Sequence, residues 1–492
     1  MDLTTTPSSA RWDARLWGLL IVLCGVLFLD GLDVSMVGMA LPSIRDDLGL
    51  STSQLQWVVS GYVLGYGGFL LLGGRTADLL GRRSTLLVAL AVFTVASLLS
   101  GLVSDGGLLI ATRFIKGASA AFTAPAGLSI ITTTFAEGPQ RNKALSIYTT
   151  VGASGFSFGL VLGGLLTEVG WRWPFLVPGP VALLLVLLGR IYIPRDTDSS
   201  RDHTRYDVPG ALTVSAAMLL LVRTVVSAPS SGWGSAETVG GFVGSALLLA
   251  TFVVIEQRTS HPLVRLGILR SGSLLRANLA AMALFGGYVG FQFIGTLYMQ
   301  SLLGWSAVET ALAFLPAGLV VVIGSTRIAP IINRFGTPRL LVAAFVAFAV
   351  GYALFLPVSA HPVYAAAILP TMLLLGVGFA IGFPSLNIQA TSGVEDHEQG
   401  LASGLLNTAF QLGGAIGLAV VSAVVTSTTG SGGASGDLLH GYRAGIAVTV
   451  GVAGAGLLAS LAGVVRRRTE IVLPDVARVD VPIPEAELVT VD

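Results

Sequence analysis

Fourteen apolar stretches follow one another through this chain, at 16–41, 55–73, 85–104, 107–134, 144–167, 171–193, 208–227, 237–256, 277–301, 308–332, 338–357, 362–384, 402–425 and 443–465. An α-helix rises about 1.5 Å per residue, so roughly 20 apolar residues cross the ~30 Å hydrocarbon layer of a bilayer. No water is available there to satisfy backbone N–H and C=O groups, whereas a helix satisfies its own. The pattern therefore predicts an all-α membrane protein with fourteen transmembrane helices. Composition agrees, because 53% of the 492 residues are hydrophobic and 11% are charged, against about 25% charged in soluble domains. A net charge of +1 provides no basic face for nucleic acid. Cys24 is the single cysteine, so no disulfide can form within the chain. The first apolar stretch has no small-residue cleavage site and is expected to stay as an anchor.

An even number of spans puts both termini on one side. Most of the 28 Lys and Arg residues fall in the segments on that side, which the positive-inside rule assigns to the cytoplasm. The connection 385–401 is the exception, being acidic and without Lys or Arg.

The first span carries Asp30 and Asp33 inside its apolar run. An ionised side chain at that depth costs roughly 2.5–3.5 kcal/mol on insertion scales, so both acids need a reason. Three residues apart, they share one helix face. If the span ends near Pro42, Asp33 and Asp30 lie roughly 13 and 18 Å below its outer end. Arg113 and Lys116, on the oppositely directed fourth span, lie at roughly 9 and 14 Å. Each acid thus has a base within about one turn of its own depth. Arg113 cannot shed its proton and must have a partner. Desolvation and a neighbouring cation act on a buried carboxylate in opposite senses. Such an acid is either one half of a structural ion pair or a group that takes up and releases protons. Lys116 allows two functional readings, as a titrating amine or as a binder of an anionic cargo.

Two stretches echo one another. Gly73–Arg83 (GGRTADLLGRR) joins spans two and three, and Ala329–Arg339 (APIINRFGTPR) joins spans ten and eleven, aligning Gly81 with Gly336. Pro125 near the end of span four similarly answers Pro384 in span twelve, at nearly the same separation along the chain. This spacing predicts a parallel repeat of two six-helix bundles, with two helices inserted between them and cargo bound between the halves. The expected units are 1–193, the linker 194–272 with the two inserted helices, 273–468, and a disordered cytoplasmic tail 469–492.

Gly152, Gly155, Gly159, Gly163 and Gly164 recur at near-helical spacing, which permits close helix approach. Tyr62, Tyr66, Tyr288 and Gln292, with Glu309, are candidates for lining an apolar cavity. Their plainer alternative is an interfacial or lipid-facing position and, for Glu309, a solvated acid. No P-loop, metal-ligand cluster or nucleophile–base pair is recognisable, so no cofactor, metal or enzymatic reaction is expected.

Four stretches carry a family resemblance. They are Gly74-Arg75-x-Ala77-Asp78-x-x-Gly81-Arg82-Arg83, the first-span LDVSMVGMALPSI (Leu32–Ile44), Arg113-x-x-Lys116-Gly117, and the glycine-rich Gly155–Gly164. With them the chain resembles the major facilitator superfamily, in its fourteen-span drug:proton antiporter group. The resemblance implies a monomeric carrier in the plasma membrane, exchanging protons for an amphipathic drug, dye or antibiotic by alternating access. It makes Asp33 the coupling acid and Arg113 its tuner. Gly74, Arg75, Asp78, Gly81, Arg82 and Arg83 become a cytoplasmic latch between the halves. Asp30 has no counterpart in the family pattern. Two departures stand out: Leu160 follows Gly159 where antiporters usually have proline, and Lys116 replaces a usual glutamine. The alternatives are a carrier of an anionic or neutral metabolite, with Arg113 and Lys116 reading its charge, and a membrane sensor that transports nothing.

Overall fold

The computed structural model of the chain describes residues 12–136, 139–195, 207–259, 267–268, 271–325, 328–392, 394, 399–429 and 435–471. Among the described residues there is no β-strand. The first half holds α1 (Ala14–Leu48), α2 (Thr52–Leu80), α3 (Arg82–Leu102), α4 (Gly106–Thr134), α5 (Pro139–Val169), the short α6 (Trp173–Leu176) and α7 (Pro178–Tyr192). Next come α8 (Val208–Ser231) and α9 (Ala236–Arg258). The second half holds α10 (Gly272–Leu297), α11 (Ala307–Ser325), α12 (Ile328–Phe335), α13 (Thr337–Phe355), α14 (Tyr364–Ala367), α15 (Leu369–Thr391), α16 (Gln399–Thr428) and α17 (Ser435–Ile471). Among the described residues, twelve helical segments are long and apolar enough to cross a membrane. α2 and α5 occupy the other two expected spans.

The helix ends follow from local chemistry. The Asp13 carboxylate accepts from Leu16 N at 2.8 Å and starts α1, as Asp105 does for α4 with Leu108 N at 2.9 Å. α1 runs through Pro42 and stops only at Gly49, whose φ of +64° suits a residue without Cβ. The first span is therefore longer than the apolar run alone suggests, because one proline removes one rung without ending a helix held on all sides. Spans six and twelve are each broken at their first turn, where Pro178 and Pro370 open α7 and α15. The tenth span is described as α11 and α12, with 326–327 between them outside the described residues. The ninth ends in a single π turn, Tyr298–Leu302.

One core lies within the first half, around Leu20, Leu90, Phe93 and Ile131; a larger one fills the second half around Leu284, Phe345, Phe348 and Leu375 and continues into the first through Met39, Leu41, Val58 and Leu160. Gly81 heads α3 with φ +94° and Gly336 heads α13 with φ +75°, so the same strained turn recurs at the same place in each half. Pro125 and Pro384 likewise lie inside α4 and α15. The halves meet along two seams, α5 on α11 and α2 on α16. α8 lies on the second seam, where Val222 and Val226 pack with Val63 and Ala415, and Gln56 Nε2 donates to Val226 O at 3.3 Å. At the end remote from the termini, Gln300 Nε2 donates to Met39 O at 3.1 Å and Val308 N to Glu168 Oε1 at 3.3 Å. α17 continues to Ile471. Residues 196–206 of the expected linker and 472–492 of the expected tail lie outside the described residues.

Candidate functional site

Glycines set the separation of the helices that carry the charged residues. A Cβ on Gly159 would stand 2.6 Å from Leu32 O, and one on Gly163 would stand 2.7 Å from Met36 Cα. Gly155 abuts the Phe28 carbonyl in the same way, so α5 lies with its backbone against α1. α2 and α4 approach as closely, Gly65 meeting Phe114 O and Gly117 meeting Tyr62 O. Gly164 turns to the second half, where its Cβ would stand 2.7 Å from Ala307 O. α5 is continuous from Pro139 to Val169, through Gly159 and Leu160.

With α1 held in this way, its acidic face looks at α4. Arg113 Nη1 donates to Asp33 Oδ2 and Lys116 Nζ to Asp33 Oδ1, so the two cations share one carboxylate. All three side chains are 0–1% exposed. Each cation has further partners. Arg113 Nε donates to Val58 O at 3.2 Å, and its guanidinium stands 4.6 Å from the Tyr62 ring. Lys116 Nζ donates to Ser97 Oγ at 3.1 Å and stands 4.7 Å from the Phe93 ring; Ser97 Oγ in turn donates to Phe175 O at 2.6 Å. Charge, hydrogen bonds and ring quadrupoles together balance the desolvation of the trio.

Asp30 is arranged differently. Its Oδ2 accepts from Thr123 Oγ1 at 3.1 Å, it is 7% exposed, and among the described residues it forms no ion pair. Depth alone offered each acid one base. The structure gives both bases to Asp33, because Arg113 and Lys116 are three residues apart on α4 and reach the same side of α1.

The other candidates separate. Tyr62 is buried beneath Arg113, and the half-buried Tyr66 stacks on it at 6.1 Å. Tyr288 and Gln292 are buried on α10, Gln292 with its amide nitrogen against Gly38 of α1 and without a hydrogen-bond partner among the described residues. Glu309 has a local structural partner. It is exposed at the start of α11, where Oε2 accepts from Ser306 N at 2.8 Å and its own N–H donates to Ser306 Oγ at 3.1 Å. That reciprocal pair is a capping box, which explains an acid at this spot without a cargo. In the α2–α3 turn, Gly81 is buried and Arg83 Nη2 donates to Arg190 O at 2.7 Å. Gly74 lies against Pro125 of α4, and Arg82 follows the turn at the head of α3. The side chains of Arg75 and Asp78 lie outside the described residues.

Sequence reading missed Ser97 and Thr123, whose hydroxyls complete the charged cluster. Hydroxyl residues are common in such helices, and nothing marks these two. It also missed a set of phenylalanines on α15 and α16, although Phe379 and Phe383 stand at helical spacing.

The sequence model of the family described as "Major Facilitator Superfamily" matches residues 23–418. The chain is 40% identical over 463 residues to the puromycin resistance protein pur8 of Streptomyces alboniger, covering 91% of this chain and 90% of that one. It is 38% identical to the cephamycin export protein CmcT of Amycolatopsis lactamdurans, covering 86% and 87%. Among solved structures, the xylose transporter XylE from E. coli, in a partially occluded inward-open conformation, superposes with a TM-score of 0.60 at 16% identity, covering 91% of this chain and 97% of that one.

Proposed function

The chain belongs to the major facilitator superfamily, and from that premise we propose that it exports an amphipathic drug or antibiotic in exchange for protons. Relatives named for puromycin resistance and cephamycin export support the export half of this reading. The division of labour between Asp33 and Asp30 supports the proton half. Asp33 is held by two cations and is fully buried, whereas Asp30 is 7% exposed, accepts from Thr123 and forms no ion pair among the described residues.

The coupling follows from charge. With both acids ionised, Asp30 and Asp33 balance Arg113 and Lys116. Protonating Asp30 leaves one positive charge in excess, which opposes a cationic cargo in the same space. Proton and cargo then exclude one another, which is the requirement for antiport. Asp33 keeps α1 tied to α4 and transmits the change through Arg113 and Lys116. The alternative of an anionic cargo read by these two cations is disfavoured, because both are buried and committed to Asp33.

The conformational part of the proposal uses the Gly74–Arg83 turn as a cytoplasmic latch and the two seams as sliding surfaces, with both termini in the cytoplasm and the monomer in the plasma membrane. The glycine face of α5 would be one such surface. The test is drug-driven proton movement in vesicles made with purified protein. Asp33→Asn and Asp30→Asn should each abolish exchange, and retained exchange in either would refute that residue's part.

A further inference from the structure

Resting on the alternating-access part of the export reading, we infer that the inserted pair α8–α9 is a rigid part of the first half, and that α8 glides over α16 of the second half when the halves swing. The pair has no counterpart in the two-fold plan, yet α8 touches α2 in one half and α16 in the other.

α8 and α9 form one unit. They run antiparallel, Ser245 Oγ donating to Ala217 O at 3.0 Å while Gly241 abuts Thr224. The buried residues of α9 are Thr238, Ser245, Phe252 and Glu256, which recur at helical spacing along one face. Val239, Val243, Leu247 and Val254 on its other sides are exposed. α9 is thus carried by α8, with its outer surface left to lipid.

Interlocking contacts fix the height of α8 on α2. The Leu219 side chain fills the notch left by Gly68, where a Cβ would stand 2.5 Å from Leu219 Cδ2. About three turns away along α2, Gln56 Nε2 donates to Val226 O at 3.3 Å. Val63, Val222 and Val226 pack in the cluster that joins these levels. A slip of one residue's rise, about 1.5 Å, would drive Leu219 against the α2 backbone. It would also strip the Gln56 amide of its acceptor where no water replaces it.

The side towards α16 is different. The same cluster takes from α16 the small Ala415 and the half-buried Leu412. The glycine notches of α16 are filled from its own half, Gly413 meeting the Met282 carbonyl and Gly417 the Gly286 carbonyl of α10. Across the seam, Gly67 of α2 has ordinary room, since a Cβ would stand 3.4 Å from Gln411 Cβ. An apolar contact without interlocking keeps its burial at neighbouring offsets, so it resists separation and permits shear. α8 therefore travels with α2 and keeps the α2–α16 seam covered as the halves move.

The test uses cysteine pairs in a Cys24→Ala background, closed by the short reducible cross-linker ethanediyl bis-methanethiosulfonate. Val63, Val222 and Ala415 belong to one packed cluster at the seam. The Val63→Cys/Val222→Cys link should leave drug-driven proton movement in vesicles within about twofold of the unlinked protein. The Val222→Cys/Ala415→Cys link should lower it about tenfold or more. Reduction should restore it, which separates a block from misfolding. A second readout needs no export: the distance between spin labels on ketone-bearing residues introduced at Thr133 and Ser392, at the ends of α4 and α15. That distance should change between acidic and alkaline buffer with the first link and stay fixed with the second. A distance frozen by the first link, left free by the second, or unchanging in the unlinked protein would each overturn the inference. Label movement stopped by the second link alone, in a protein that moves no protons, keeps the glide and removes the antiport proposal.

Discussion

Asp33 and Lys116 face each other across the α1–α4 contact with no exposure to solvent, and Arg113 takes the second oxygen of the same carboxylate. The trio carries one more positive than negative charge. Asp30, three residues earlier on the same face, is a nearby acid that can balance it. This relationship leads to separable expectations for the two acids.

Asp33→Asn leaves two buried cations without the carboxylate that both of them contact. Breaking a buried pair by removing one partner costs about 3–5 kcal/mol, so this variant should unfold well before the parent protein in a thermal or denaturant titration in detergent. Lys116→Gln leaves the Arg113–Asp33 pair intact and should cost roughly 2 kcal/mol less than Asp33→Asn. Equal losses would mean that Lys116 and Arg113 are not sharing Asp33 as described.

Asp30→Asn retains an oxygen to accept from Thr123 and disturbs no ion pair. Its stability should stay within about 1 kcal/mol of the parent, while the pH dependence of export disappears. Measuring transport in vesicles between acidic and alkaline pH checks this, and a pH profile like that of the parent would count against Asp30 as the exchanging group.

Gly159→Ala places a methyl group against the Leu32 carbonyl, an atom of the backbone that cannot swing aside. Such overpacking costs typically 1–3 kcal/mol, and here it pushes α5 away from the helix that holds both acids. Lowered thermal stability together with reduced export is expected. Gly49→Ala meets no neighbour within 4 Å and bears only the conformational penalty of its positive φ.

Gly81→Ala and Gly336→Ala test the repeat. Both residues head the equivalent helix with positive φ, where a side chain costs of order 1–3 kcal/mol. The two variants should lose similar stability in denaturant titrations, despite belonging to different halves.

Glu309→Gln keeps its place in the capping box, since an amide oxygen accepts from Ser306 N as a carboxylate does. A stability change below about 1 kcal/mol and unaltered export are expected. A strong transport defect would return Glu309 to the list of cargo-contacting groups.

The expectation of a two-fold plan came from the echo of Gly73–Arg83 in Ala329–Arg339, while hydropathy by itself determined the class of fold, because in hydrocarbon a run of apolar residues has few alternatives to a helix. It also marked Asp30, Asp33, Arg113 and Lys116, since charge at that depth is costly enough to need a cause. What it left open was which acid meets which base. Rise per residue places groups along the bilayer normal but not around the helix axis, and rotation is settled by contacts between helices. The glycines of α5 against Leu32 and Met36, and those of α2 against α4, fix that rotation, and with it the pairing of both cations to Asp33. The same limit hid the contacts among Phe156, Tyr288, Phe379, Phe383 and Phe410, which are scattered along the sequence and meet only through the packing of α5, α10, α15 and α16.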